Sequence, residues 1–128
     1  MAIFIDSSGR SYTLLANSLP SARGQGEPLT GRLTPPIGAE FIDVVMGDDD
    51  QPIILSSDAG YGFISTLGNL QSKTKSGKHA ITLSKQAKTM RITKVDDIES
   101  DFLAVVTNRA RLLIFSSLRA SSAFKGER

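Results

Sequence analysis

Ile53-Ile54-Leu55-Ser56-Ser57-Asp58-Ala59-Gly60-Tyr61 decides the fold, because the same layout stands about fifty residues away on either side. It is an apolar run, a polar turn closing on glycine, and the start of a second run. Ala2-Ile3-Phe4-Ile5-Asp6-Ser7-Ser8-Gly9-Arg10 has this form, and so does Leu103-Ala104-Val105-Val106-Thr107-Asn108-Arg109-Ala110-Arg111, with alanine in the glycine place. Gly9, Gly60 and Ala110 are thus equivalent, 51 and 50 residues apart, and ten residues beyond them stand the matched Leu19, Leu70 and Ala120. Self-similarity at this period marks architectures in which each unit buries its face against its neighbours.

Working outward, Phe41 to Met46 reads as a strand, Gly47 to Gln51 as a turn, and Pro52 opens the strand Ile53 to Ser56, where its missing N–H does least harm. Tyr61 to Leu67 continues with aromatic and β-branched residues. A basic loop, Ser72 to Lys78, leads to a strand predicted over His79 to Leu83, and the pattern restarts near Thr89 to Thr93. Phe102 to Phe115 alternates or runs continuously apolar without helical spacing, and Pro35-Pro36 excludes a helix across Leu33 to Glu40. The expectation is an all-β, propeller-like protein of antiparallel blades. About two and a half repeats are present, near 1–38, 39–87 and 88–128. Repeat one has no counterpart of Phe41 to Met46, and repeat three stops short of a counterpart of His79 to Leu83. Propellers close with ~4–8 blades, so an unclosed fragment of a longer chain is expected.

The 128 residues, 40% apolar and 22% charged, suit a soluble globular domain. Without cysteine there is no disulfide framework and no thiolate metal site. No apolar run is long enough to span a membrane, and Met1 to Asp6 lacks the features of a signal peptide. An intracellular, cytoplasmic location is expected. The net charge of +2 conceals segregation: 39–58 holds six acids and no base, 71–94 holds seven bases and no acid, and Asp96, Asp97, Glu99 and Asp101 follow. Such blocks are often solvated faces; within a repeat they also suit two rims of opposite sign, one fit for a polyanion.

No active site can be composed from these residues. Gly26 to Leu33 has P-loop glycine spacing but carries Arg32-Leu33 where Lys-Ser/Thr is needed, and Pro35-Pro36 where a helix must start. Asp48-Asp49-Asp50 lacks the alternating ligands of a calcium loop and reads as a solvated turn. His79 is the sole histidine, so it can build neither a Cys/His cluster nor a His-paired nucleophile. Tyr12 and Tyr61 sit in strand patterns, where packing is the default role. Leu19 to Leu33 is glycine-rich, with Arg23 and Arg32 able to meet phosphate; the plainer alternative is a surface loop between blades. The basic glycine-containing loop Lys73 to Lys78 recurs at the matched place as Lys125-Gly126, which favours repeated phosphate contacts along one rim.

Leu19-Pro20-Ser21-Ala22-Arg23-Gly24-Gln25-Gly26-Glu27-Pro28-Leu29-Thr30-Gly31, Ser57-Asp58-Ala59-Gly60-Tyr61-Gly62-Phe63 and Ser76-Gly77-Lys78 resemble the C-terminal domain of the A subunit of bacterial topoisomerase IV, a gyrase relative. The resemblance implies a β-pinwheel whose blades exchange strands and bind bent duplex DNA on a basic outer rim. It further implies ATP-dependent strand passage by the parent type IIA topoisomerase, giving decatenation and relaxation in chromosome segregation. The catalytic tyrosine, the Mg2+-binding carboxylates and the ATP site would lie elsewhere, leaving this piece with no cofactor, no metal and no catalysis. Neither Ser11-Tyr12 nor Gly60-Tyr61 has the arginine that precedes the family's catalytic tyrosine. Implied partners are duplex DNA, the B subunit, plus a second copy of the parent chain. The implied setting is the chromosome, with the parent enzyme peripheral at the inner membrane as a variant. Ser21 to Glu27 has one arginine and one acid where gyrase carries its wrapping box, which favours the topoisomerase IV branch over a gyrase wrapping domain.

The residues expected to meet phosphate are Arg23, Arg32, Lys73, Lys75, Lys78 and Lys125, with Arg10, Arg109 and Arg111 as weaker candidates near the inner turns. The rival is a propeller-like protein-interaction scaffold working through its acidic rim. A propeller hydrolase lacks an acid–base pair.

Overall fold

A computed structural model describes residues 1–83, 85–106, 109–116 and 124–125. Its regular elements are strands: β1 (Ala2–Asp6), β2 (Arg10–Leu14), β3 (Phe41–Met46), β4 (Pro52–Ser56), β5 (Tyr61–Thr66), β6 (Lys78–His79), β7 (Thr93–Lys94), β8 (Phe102–Val106), β9 (Leu112–Ser116) and β10 (Phe124–Lys125). Helical geometry is confined, among the described residues, to single 3-10 turns at Ala16–Ser18, Leu29–Gly31 and Leu67–Leu70. The all-β antiparallel reading holds, and β1–β2, β4–β5 and β8–β9 are the three matched hairpins. Each turns through a left-handed residue at the equivalent place: Gly9 at φ 89°, Gly60 at φ 90° and Ala110 at φ 60°. The third turn keeps the conformation while losing the residue that adopts it without strain, at a cost of about 1–2 kcal/mol.

Sequence repeat and sheet do not coincide. The first sheet runs β3-β1-β2-β6, the second β10-β5-β4-β7, and β8-β9 form a third of two strands. After β3 the chain leaves the first sheet, builds the β4–β5 hairpin in the second, returns to the first as β6, and goes back to the second as β7. The edge for which repeat one offered no strand is therefore filled by β3 itself. All pairings are antiparallel, and no ring closes among the described residues. The strand expected over His79 to Leu83 is instead Lys78–His79. Beyond it the N–H groups of Ala80 and Ile81 both donate to Gly9 O, at 2.8 and 3.2 Å, and the chain bends across the Gly9 turn.

Strand alternation divides β1 between two apolar clusters. Ile3 and Ile5 pack with Ile53, Leu55, Leu67, Leu70 and Ile81 between the first two sheets. Ala2 and Phe4 face the other way, with Tyr12 and Leu33, and are covered by Leu19 and Leu29 of the glycine-rich segment. Phe41 meets Phe4 and Tyr12 edge-on, at ring separations of 6.3 and 5.3 Å. Every residue of β1 is consequently buried. Blades stacked on a continuous apolar core would bury Phe4, Phe63 and Phe115; Phe4 is buried, whereas Phe63 is half-buried at the margin of the first cluster. It stands opposite Leu55, next to Gly62, which pairs with β10. The Phe115 side chain lies outside the described residues. Tyr61, expected to pack, is 44% exposed, at the turn end of its hairpin where β5 begins.

Candidate nucleic-acid interface

The acid-free segment 71–94 is held across the turn ends of both large sheets. Its first part crosses the first hairpin, where Ala80 and Ile81 bond Gly9 O and Thr89 N donates to Ser7 O at 3.2 Å. Its later part crosses the second. Asp58 N donates to Lys88 O at 2.9 Å, Asp58 Oδ1 accepts Lys88 N at 2.8 Å, and Met90 N donates to Ser56 O at 2.9 Å. Lys73, Lys75, Lys78, Lys85, Lys88, Arg91 and Lys94 are all exposed, and none is in an ion pair; among the described residues that contact is Arg32–Glu27. Glu40 and Asp58 share this end, Glu40 through paired contacts with Ser7.

The acidic turn Asp48 to Asp50 stands at the far end of β4, about 16 Å away at ~3.3 Å per strand residue, and is exposed as expected. Lys94 reaches that far end, donating to Met46 O at 2.5 Å, and Val95 N bonds Pro52 O. The two charge blocks are therefore not cleanly separated: Lys94 and Gln71, whose Nε2 donates to Asp49 Oδ1 at 2.6 Å, bring both ends of the basic segment to the acidic end, and Glu40 and Asp58 lie at the other.

Within the basic rim, the loop Ser72 to Lys78 is tied down by its backbone. Ser72 N donates to Thr13 Oγ1 at 2.9 Å, Thr34 N to Lys75 O at 2.8 Å, and Arg10 Nη1 to Ser76 O at 3.3 Å. Lys73 and Lys75 project from this anchored loop with no hydrogen bond from either ammonium group, while Lys78 Nζ donates to Asn69 O at 2.9 Å. Arg10 is thus brought beside Lys78 and its loop, across β2 and β6, a closer association than its place in the sequence suggested.

Arg32 is placed differently. Half-buried, it pairs with Glu27 and donates to Ser18 O at 2.6 Å and Ser18 Oγ at 3.2 Å, closing the glycine-rich segment on itself. Arg23 is exposed in the same segment, on a turn where its backbone N–H donates to Ser21 Oγ at 3.2 Å. Arg109 and Arg111 are exposed beside the third hairpin turn, in a different sheet from the basic loop. The Lys125 side chain lies outside the described residues; its backbone pairs with Tyr61.

His79, which its place beside Lys78 offered as a phosphate contact, stands exposed opposite Arg10 in the β2–β6 register. Sequence reasoning missed two things. Lys85, Lys88 and Arg91 continue the rim. The acid-free run was the signal for all three. The second is a buried hub behind the rim. Asp6 Oδ1 accepts from Ser8 N, Ser8 Oγ and Arg10 N at 2.8, 2.6 and 3.1 Å, and Oδ2 from Tyr12 OH at 2.5 Å. Burial, then the hydrogen bond and charge of Asp6, push the Tyr12 phenol far above its ordinary range, so it stays a proton donor. An aspartate three residues before a turn glycine was the available sign.

Antiparallel blades that trade strands along the chain define a β-pinwheel. No protein-family profile matches the chain. The DNA topoisomerase 4 A-subunit of Pseudomonas aeruginosa is 54% identical over 114 residues, covering 89% of this chain and 15% of that protein. The protein of the same name from Escherichia coli K12 is 45% identical over 128 residues, covering 98% of this chain and 17% of that protein. The solved E. coli ParC C-terminal domain matches with a TM-score of 0.86 at 44% identity, over 91% of this chain and 47% of that one. The chain belongs to the topoisomerase IV A-subunit family, in the region of its C-terminal domain. Among the described residues no helix is long and apolar enough to cross a membrane.

Proposed function

We propose that this chain binds duplex DNA without sequence preference along its basic rim, bends it, and so directs substrate selection for decatenation and relaxation by a parent type IIA topoisomerase. One observation carries the reading: the acid-free segment 71–94 lies across two adjacent sheets with its bases exposed and outside ion pairs. A rim spanning successive blades meets successive phosphates, and such contacts position a duplex without reading it. Lys73, Lys75 and Lys78 are the central contacts, with Arg10, Arg23, Lys85, Lys88 and Arg91 extending them. Arg32 acts chiefly by holding its loop, and Lys125 keeps its proposed role from the repeat alone. In this reading the piece needs no cofactor and performs no chemistry. Catalysis, with ATP and Mg2+, belongs to the rest of the parent enzyme, together with its B subunit, plus a second copy of the parent chain. That assembly acts on the chromosome in the cytoplasm.

Titration of a labelled mixed-sequence duplex by fluorescence anisotropy tests this. If five of these eight bases neutralise phosphates, the slope of log K on log salt should be near −4.5, at about −0.9 per contact. A slope near zero would sink the DNA reading and favour a scaffold working through Asp48 to Asp50.

A further inference from the structure

The returning segment and the first hairpin approach each other more closely than side chains allow. Gly77 has φ 79°, and a Cβ there would stand 2.6 Å from Tyr12 Cε1 and 2.9 Å from both Tyr12 Cδ1 and Ser11 O. The Tyr12 ring cannot yield. It is fully buried, its hydroxyl donates to Asp6, and Phe41 meets it edge-on. The loop on the other side is exposed, and Gly77 closes it: Gly77 N donates to Thr74 O at 3.2 Å, while Thr74 Oγ1 donates to Gly77 O at 3.2 Å. Any side chain at 77 therefore moves the loop, and with it Lys73 and Lys75.

We infer that Gly77 is a positioning residue, which seats the basic loop against the Tyr12 ring so that Lys73 and Lys75 are pre-set for phosphates. The inference rests on the DNA-binding reading above and adds to it the origin of the loop's geometry. A loop held before contact loses less freedom on binding, which tightens association without any new contact.

Four variants of the full chain test it, with the labelled duplex as probe and thermal melting alongside. Lys73→Ala/Lys75→Ala removes two contacts, so the salt slope should become shallower by about 1.8 and affinity should fall about tenfold or more. Gly77→Ala should reproduce most of both changes with both lysines present. Gly38→Ala is the control, because Gly38 has φ 84° with no atom within 4 Å of the added Cβ; it should bind as the parent chain does. Thr74→Val removes the hydroxyl bond inside the loop, leaves Tyr12 untouched, and should give a smaller shift of the same kind at unchanged melting temperature. If the parent chain itself shows no salt slope, the DNA reading fails. If the slope is present but unchanged in the double-lysine variant, or if Gly77→Ala keeps it, the positioning role is overturned while DNA binding stands. A loss in Gly38→Ala equal to that in Gly77→Ala assigns the effect to backbone strain and also overturns it. Should Gly77→Ala fail to fold, Thr74→Val decides: a parent-like slope there overturns the role.

Discussion

The first and third hairpins begin from the same sequence layout and end in opposite surroundings. In β1 every side chain is buried, between the second sheet on one face and the glycine-rich segment on the other. In β8 and β9, Phe102, Val106, Leu112 and Ile114 are 72%, 69%, 61% and 58% exposed. The turns differ too. Asp6 organises the first with four hydrogen bonds, Ser57 and Phe63 hold the places of Asp6 and Tyr12 in the second, and the third turns on Ala110. Apolar alternation makes a hairpin; what packs on its faces makes a blade. The first hairpin receives β3 and β6 on its edges, whereas β8–β9 is a two-stranded sheet among the described residues.

The largest contrast lies in the core. Ile5→Ala should destabilise the chain by about 2–5 kcal/mol, because the fully buried side chain leaves a cavity between two sheets. Ile114→Ala, in the third hairpin, should stay within about ±0.5 kcal/mol. Urea midpoints for the pair measure the difference; equal losses would erase the distinction between the hairpins.

Next comes the hub. Asp6→Ala strands the buried Tyr12 hydroxyl, at about 1–3 kcal/mol for a buried donor left without a partner, and less for the two part-buried backbone N–H groups. Ser57→Ala, at the matched place, should cost clearly less. The hub also sets an alkaline limit. The folded Tyr12 pKa is raised above its unfolded value near ~10, so its stabilisation is complete below pH ~10 and is lost as pH rises from there toward the folded pKa. Melting temperatures followed upward from pH 9 should show this loss in the parent chain and a weaker one in Tyr12→Phe.

A smaller effect is expected at the third turn. Ala110→Gly relieves a left-handed alanine and should strengthen the β8–β9 hairpin by about 1 kcal/mol, read as slower amide exchange in β8. Smallest for stability, but informative for binding, is the pair Lys75→Ala and Arg109→Ala. Neither should move stability by more than about 0.5 kcal/mol. Lys75→Ala should weaken duplex binding more, since Lys75 sits on the anchored loop of the rim and Arg109 beside the third turn. An equal loss would extend the interface to the third hairpin.

The repeat was legible because period-two alternation and a left-handed turn residue are local features, and Gly9, Gly60 and Ala110 could be aligned by eye. The charge blocks were legible for the same reason, each being uninterrupted; their mixing at the strand ends was not. Strand exchange could be named only through the family resemblance: nothing local in Lys78-His79 says that it pairs with Arg10-Ser11 rather than with its neighbours in sequence. The resemblance also could not separate Arg32, tied to Glu27 and Ser18, from Lys75, whose backbone is tied while its ammonium group stays open to solvent. That separation depends on how the loop folds back, which composition does not encode.

The pairing of Arg10 with His79 joins residues 69 apart, and the whole β4–β5 hairpin lies between them. The first sheet therefore cannot be completed until the second hairpin has been formed or bypassed, and loop closure over that distance must precede any gain from it. This makes the two sheets one kinetic unit, with a higher contact order than blades that close locally. It also means that cutting the chain at the sequence period divides a single folding transition, so a segment ending before β4 loses the strand that completes its own sheet.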